Sequence, residues 1–282
     1  MTGSHGFVGT NLVEAFSDEH EIIRWDVRLD DELPDCDAVI HLAGLAHDTK
    51  NTTQEDEYFK VNTELTKKIF DAFLKSEAKK FIFFSSIKAK DNDTPYARSK
   101  YLAEQYIQEK FRDESLEFRD KRTYILRSCM IHGKGVKGNL PLLFKFVKKG
   151  WPWPLAAFEN QRSYASIGNV SYVVSELLMK DTESGLYNVC DDEPVSTNEM
   201  IRLISSTIGC KTKMLHFPKM LVRFGARLGN VLHLPLNSER LRKLTGDCIV
   251  DNSEIKFALE ISQMPVKTKD GLELTIREMN KK

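Results

Sequence analysis

Two groups of residues have types and spacings that could do chemistry. Tyr96 and Lys100 stand four apart in the run Tyr96-Ala97-Arg98-Ser99-Lys100. On a helix that spacing shares a face, where an ammonium lowers a phenol's pKa from about 10 and makes it a usable general acid or base. Ser86 closes the apolar run 80–86 (KFIFFSS), where its hydroxyl could donate to the same substrate oxygen. The second group is Gly3-Ser4-His5-Gly6-Phe7-Val8-Gly9, with glycines at i, i+3 and i+6 directly before a helical stretch. The first glycine allows a tight turn, the second lets backbone approach a pyrophosphate, and the third permits close helix packing. The helix N-terminus then faces the phosphates. Alone, either pattern more often reflects plain packing. Their occurrence together gives them weight.

The surrounding elements alternate in the way such a site needs. A short helical face at 11–18 is followed by the β-prone run 21–26 (EIIRWD) and by a buried strand over 36–44 ending at Gly44. Residues 62–79 read as an amphipathic helix through Leu65, Ile69 and Phe73, and 80–86 as a strand covered on both faces. A helix starts near Pro95, a strand covers 122–130, and another helix covers 139–149. This is the rhythm of a doubly wound, mostly parallel α/β core over 1–150. Past 150 it breaks at the proline-interrupted, aromatic run Trp151-Pro152-Trp153-Pro154. Further helices at 168–180 and 196–208 and a strand at 185–189 make 151–282 a smaller mixed region, partly interleaved with the core; Ser196 or Thr197 with Glu199 is a capping arrangement. The run 21–26 ends in Asp26, 20 residues after Gly6, where a carboxylate accepts from a ribose 2′-hydroxyl and repels the 2′-phosphate of NADP. That favours NAD, with Arg24 and Arg28 as the bases that could offset the repulsion.

Composition bounds the alternatives. Lysine plus arginine (41) equals aspartate plus glutamate (41) in 282 residues, which gives no general electrostatic claim on nucleic acid or an anionic membrane but leaves room for a local anion site. No apolar run approaches a membrane span and no signal peptide is visible, so the expected compartment is the cytoplasm. Five scattered cysteines without a CxxC pair read as buried free thiols, and no His, Asp, Glu or Cys spacing suggests a metal site.

Taken in order, TGSHGFVGTNLV at 2–13, DAVIHLAG at 37–44, Val61-Asn62, FIFFSS at 81–86, YARSK at 96–100, LRSCMIHGKGVKGN at 126–139, RSYASIGNV at 162–170 and YNVCDDEPVS at 187–196 resemble the extended short-chain dehydrogenase/reductase family. The nearest branch is that of the NAD-dependent sugar-nucleotide epimerases and dehydratases. The resemblance implies a Rossmann-type domain holding NAD through Gly3, His5, Gly6, Phe7, Val8, Gly9, Asp26, Leu42, Ala43, Gly44, Asn62, Tyr96 and Lys100. It implies catalysis by Ser86, Tyr96 and Lys100, with Tyr96 taking a proton from a sugar hydroxyl at C4 while hydride passes to NAD. Ser86, Lys137, Asn139 and Arg162 would contact the nucleoside-diphosphate sugar, Arg162 being the expected diphosphate ligand. Asn62 would anchor backbone or water near Tyr96. Trp151 and Trp153 pack or face a uracil ring, and 234–243 is a further candidate for phosphate contacts. Of His41, His47 and His132, none is read as a metal ligand; His41 resembles the family's strand-end histidine and is read as structural or cofactor-proximal, and His132 stands where the family often has a tyrosine. A homodimer through 62–79 and 95–112 is also implied.

Departures refine this expectation. Dehydratases of the family carry acids after the strand, where this chain has Ile87 and Lys88, which disfavours dehydration. The family places a strand before the first glycine, where only Met1 and Thr2 stand here; the expectation is a sheet without that strand, from a late start of the recorded sequence. Only ten residues separate Asp26 from Asp37, so that sheet edge should be reduced, and Asp26 could instead match a later adenine-contacting position. The expected reaction is 4-epimerisation of a UDP-hexose or UDP-N-acetylhexosamine. A reductase of a 4-keto nucleotide sugar and a nucleotide-binding scaffold without turnover are the rivals.

Overall fold

The structure is a computed structural model and describes residues 1–27, 32–46, 53–91, 93–113, 120–232 and 237–281. In chain order the helices are α1 (Phe7–Phe16), α2 (Glu55–Tyr58), α3 (Leu65–Lys75), α4 (Pro95–Asp113), α5 (Asn139–Lys148), α6 (Ile167–Met179), α7 (Thr197–Thr207), α8 (Lys219–Val231), α9 (Ser238–Thr245), α10 (Ser253–Leu259) and α11 (Thr268–Asn280). The strands are β1 (Ala38–His41), β2 (Lys80–Ser86), β3 (Arg122–Ser128), β4 (Met130–His132), β5 (Tyr164–Ser166) and β6 (Gly185–Val189). Two compact units result, one of residues 1–131, 167–190 and 251–265, the other of 132–166, 191–250 and 266–282. Chain segments therefore alternate between the units, and residues 132–150 group with the second.

The first unit is built on a parallel sheet ordered β1-β2-β3-β6. Phe81 and Phe83 share one face with Val39 and Ile125 and meet Ile69, Phe70 and Phe73 of α3 and Ala103 and Ile107 of α4. Ile82 and Phe84, alternate in the strand, point to the opposite face and are buried as well. A sheet covered on both faces requires this continuous apolar run, and the α/β expectation is met. On the other helical layer α1 packs on α6, and α10 contacts α6 and β6.

The run 21–26 is not a strand. Its neighbour toward the sheet is only Met1–Thr2, which supplies one step of pairing: the Met1 ammonium donates to Ile23 O (2.7 Å) and Trp25 N to Met1 O (3.0 Å). On its other side Thr2 pairs in parallel with His41, through Thr2 N to Ile40 O (3.0 Å) and Leu42 N to Thr2 O (3.3 Å). A ladder cannot propagate along so short a partner. A cavity of about 430 Å³ lies beside Met1, lined among others by Phe16, Ile22, Ile23, Ala38 and Lys80.

In the second unit α7 opens with the capping box expected of Ser196 and Glu199, each satisfying the other's backbone N–H. Helices α5 and α11 pack on α7, α11 meets β5, and α8 contacts α9. Trp153 is buried and its Nε1 donates to Asn198 Oδ1 (2.9 Å), which settles its reading as packing; Trp151 is exposed and lies edge-on to Phe146.

Candidate active site

The glycine-rich turn is fixed by contacts that exclude side chains. Gly3 has φ +65°, and a Cβ there would stand 2.6 Å from Ala43 N. A Cβ on Gly9 would stand 2.4 Å from Gly3 O and 2.6 Å from Ser4 Cα. Gly6 closes the turn by donating to Gly3 O (3.0 Å) and serves as N-cap of α1, where it has no side chain to cap the first amides. That is a cradle of backbone donors at a ten-residue helix's positive end, which fits a dinucleotide's diphosphate. His5 is exposed, Phe7 and Val8 are half-buried in the first turn, and Asp26 lies one residue past the Trp25 that pairs with Met1.

Leu42, Ala43 and Gly44 follow β1. Gly44 is held where a Cβ would lie 2.9 Å from Asn62 Oδ1 and 3.3 Å from Lys100 Nζ. Asn62 is fully buried in a π-helical turn (Phe59–Glu64) between α2 and α3. Its Oδ1 accepts from Leu45 N (2.8 Å), and its Nδ2 donates to Leu45 O (3.1 Å) and Ser99 Oγ (3.0 Å). Ser99 Oγ in turn donates to Tyr96 O (2.9 Å), and Thr63 Oγ1 to Ser99 O (2.8 Å). One amide thus ties the loop after β1 to the first turn of α4, and the helix widens where that residue must face inward.

Tyr96 and Lys100 lie on one face of α4, as their spacing predicts. Tyr96 is hydrogen-bonded through its phenol to Ser86, lies edge-on to Tyr58 (6.1 Å between centroids), and has Lys88 Nζ 5.9 Å from its ring centre. Burial raises the phenol's pKa, the Ser86 hydrogen bond opposes this, and Tyr58 adds to it. This differs from the sequence expectation of a phenol lowered by Lys100. The Lys100 ammonium instead donates to Phe84 O (2.8 Å) and lies 4.7 Å over the Phe83 ring, and desolvation outweighs any cation. Lys100 itself is lowered by burial to about 8, with Glu104 pulling it back up.

Sequence reasoning missed what lies beneath Lys100. Glu104, four residues on along the same helix face, is almost fully buried; it accepts a hydrogen bond from Ser85 Oγ and both carboxylate oxygens accept from Arg127 Nε (3.0 and 3.1 Å). The signal was the repeat of the four-residue spacing, Tyr96, Lys100, Glu104. His41 is also explained: Nε2 meets Thr66 Oγ1 (2.9 Å), whose proton goes to Asn62 O, and Nδ1 meets Thr2 Oγ1 (2.7 Å). This network assigns the proton to Nε2, with Nδ1 accepting from Thr2. Burial, then Lys100 and the Met1 ammonium, lower its pKa to about 3, so the ring is neutral.

The remaining sequence candidates belong to the second unit. Lys137 is exposed and Asn139 is the first residue of α5, behind Gly138 with φ +91°. Arg162 Nη1 donates to Lys243 O (2.9 Å) and Gly246 O (3.1 Å), so part of the expected diphosphate ligand is spent on the carboxyl end of α9. His132 is buried with Nδ1 at 2.9 Å from Thr275 Oγ1 and Nε2 at 3.4 Å from Asp191 Oδ2. Arg28, His47 and the first part of 234–243 lie outside the described residues.

The chain is similar to known proteins in both sequence and fold. Residues 1–190 match the model of a family described as the NAD dependent epimerase/dehydratase family. A UDP-glucose 4-epimerase of Vibrio cholerae is 32% identical over 92% of this chain and 88% of its own length. An N-acetyl-alpha-D-glucosaminyl-diphospho-ditrans,octacis-undecaprenol 4-epimerase of Escherichia coli O157:H7 is 24% identical, covering 98% and 93%. Among solved structures, a UDP-glucuronic acid 4-epimerase from Bacillus cereus in complex with NAD superimposes with a TM-score of 0.73 at 18% identity, covering 99% of this chain and 97% of that one. Bordetella bronchiseptica WbmG, in complex with NAD and UDP, gives 0.71 at 16% identity, covering 99% and 93%.

Proposed function

Because this chain belongs to the NAD dependent epimerase/dehydratase family, we propose that its reaction is the 4-epimerisation of a nucleoside-diphosphate sugar, with a UDP-hexose or UDP-N-acetylhexosamine as substrate. The observation that carries this reading is the Tyr96–Ser86 hydrogen bond at the carboxyl end of β2, with Lys100 buried on the same helix face and packed against Gly44. A hydroxyl entering this site meets one group able to accept its proton and one able to hold the oxygen.

The residues divide the work. Gly3, Gly6 and Gly9 would hold the diphosphate of NAD at the start of α1, and Leu42, Ala43 and Gly44 would border its path past Asn62 to Lys100. When bound, NAD would supply a hydride acceptor for oxidation at C4 and, once reduced, the hydride donor for the return step. Tyr96 would act from its phenolate form: having first lost its own proton, it would accept the C4 hydroxyl proton as the carbonyl forms and give it back as the alcohol reforms. Ser86 holds the same oxygen through both half-reactions. Lys100 keeps a positive charge beneath the site below its pKa of about 8, and Glu104 supports that charge. In the second unit Lys137, Asn139 and Arg162 would contact the nucleoside-diphosphate portion. The homodimer through 62–79 and 95–112 and a cytoplasmic site of action belong to the same reading.

The test is a product assay against a panel of UDP-sugars. Interconversion of two UDP-sugars with copurified NAD and no net NADH is expected. Stoichiometric NAD(P)H consumption would replace the epimerase with a reductase, and binding without turnover would leave a scaffold.

A further inference from the structure

Helix α8 turns its apolar side away from the protein. Val222, Ala226 and Gly229 face inward, Ala226 fully buried, while Met220 (82% exposed), Leu221, Phe224 (61%) and Leu228 face out. At roughly 100° per residue these four fill an arc of about 100° opposite the inward stripe. Lys219, Arg223 and Arg227, each four apart and exposed, form a stripe along one border of that arc. Phe217 before the helix and Leu232 after it extend the apolar surface. The helix is held in this attitude by its packing on α9, where Asn230 and Ser238 exchange two hydrogen bonds (2.9 and 3.0 Å).

We propose that α8 docks this side of the second unit onto an anionic lipid surface, lying in the plane of the headgroups. Charge decides the occupant. From Met200 to Ser238 there is no aspartate or glutamate, while Arg202, Lys211, Lys213, Lys219, Arg223 and Arg227 fall in that stretch, in a chain whose charges balance only as a whole. The global neutrality noted above therefore conceals a local basic apolar patch. Pairing with a second copy would bring two basic stripes together with no acid in the segment to meet them, whereas anionic headgroups match the stripe and acyl chains accept Phe224, Leu228 and Met220. No described helix is long and apolar enough to cross a membrane, so the contact is with the surface. Nothing in this inference depends on which sugar is turned over.

Co-sedimentation with vesicles tests it. The full chain should sediment with vesicles of equimolar phosphatidylcholine and phosphatidylglycerol, sediment much less with phosphatidylcholine alone, and be partly released by salt at about 0.5 M. Arg223→Gln/Arg227→Gln should weaken partitioning about ten-fold or more. Phe224→Ser/Leu228→Ser should do so at unchanged circular dichroism; if that pair fails to fold, the arginine pair decides alone. Wild-type protein that stays in the supernatant with both vesicles, or partitioning unchanged in the variants, would overturn the proposal. So would a wild-type dimer that Phe224→Ser/Leu228→Ser converts to monomer without any vesicle binding, since the face would then be a self-interface.

Discussion

Burial acts on Tyr96 and Lys100 in opposite senses, raising the phenol and lowering the ammonium, so at rest the phenol keeps its proton while Lys100, at about 8, still carries its charge at neutral pH. Glu104 pulls Lys100 back toward its charged form, and both Glu104 carboxylate oxygens in turn accept from Arg127 Nε. Replacing Glu104 by Gln leaves Arg127 facing no anion, and a loss of about 3 kcal/mol or more is expected in urea unfolding; a loss well under 1 kcal/mol would contradict this role. His41 gives a pH dependence. Its pKa is about 3 in the folded chain against an ordinary 6.5, so between these values the unfolded state binds the proton and the folded state does not. Stability should then be full above about 6.5 and fall as pH drops toward about 3, by at most about 1.4 kcal/mol per pH unit from this residue. Melting temperatures of His41→Gln should fall less steeply over that range than those of wild type; parallel curves would refute the assignment. Tyr96, Lys100 and Ser86 were legible from spacing alone. The sign of the phenol's shift was not, because it depends on how much water the fold leaves beside the ring.

Helix and strand placement followed from periodicity wherever the pattern was long: β2, β3, α4, α5 and α7 begin and end close to where apolar spacing, Pro95 and the Ser196–Glu199 pair put them. Two elements were not legible. The β-prone 21–26 forms no ladder, since a strand is a property of two segments and its partner here is Met1–Thr2. The π turn around Asn62 lies inside an amphipathic helix whose apolar spacing is nearly unchanged, so nothing in the pattern announces it. The glycine turn shows the reverse case, where residue type alone predicts geometry. Gly9→Ala would drive a Cβ into the Gly3 carbonyl, both backbone atoms with little freedom to yield. NAD affinity is expected to fall by more than roughly ten-fold, by the scale of moving a helix end off its anion; unchanged affinity by calorimetry would show the turn does not hold the diphosphate.

For the whole molecule, the sequence reading expected an α/β core over 1–150 and a mixed remainder partly interleaved with it; which segments go to which unit, residues 132–150 among them, was not legible, because contacts distant in sequence leave no periodic trace. Charge balance was similarly coarse: equal totals hide a basic, acid-free stretch from Met200 to Ser238. Ligand linkage gives a global prediction. NAD at 100 times the wild-type dissociation constant should stabilise the fold by about 2.7 kcal/mol and raise the melting temperature accordingly, and at the same concentration Gly9→Ala should gain about 1.4 kcal/mol or less. Turnover requires Tyr96 to move the proton of the reacting hydroxyl. The most direct measurement is steady-state turnover of Tyr96→Phe on the UDP-sugar that wild type converts. A kcat reduced more than roughly 100-fold with KM within a few-fold is predicted, and unchanged turnover would contradict the assignment.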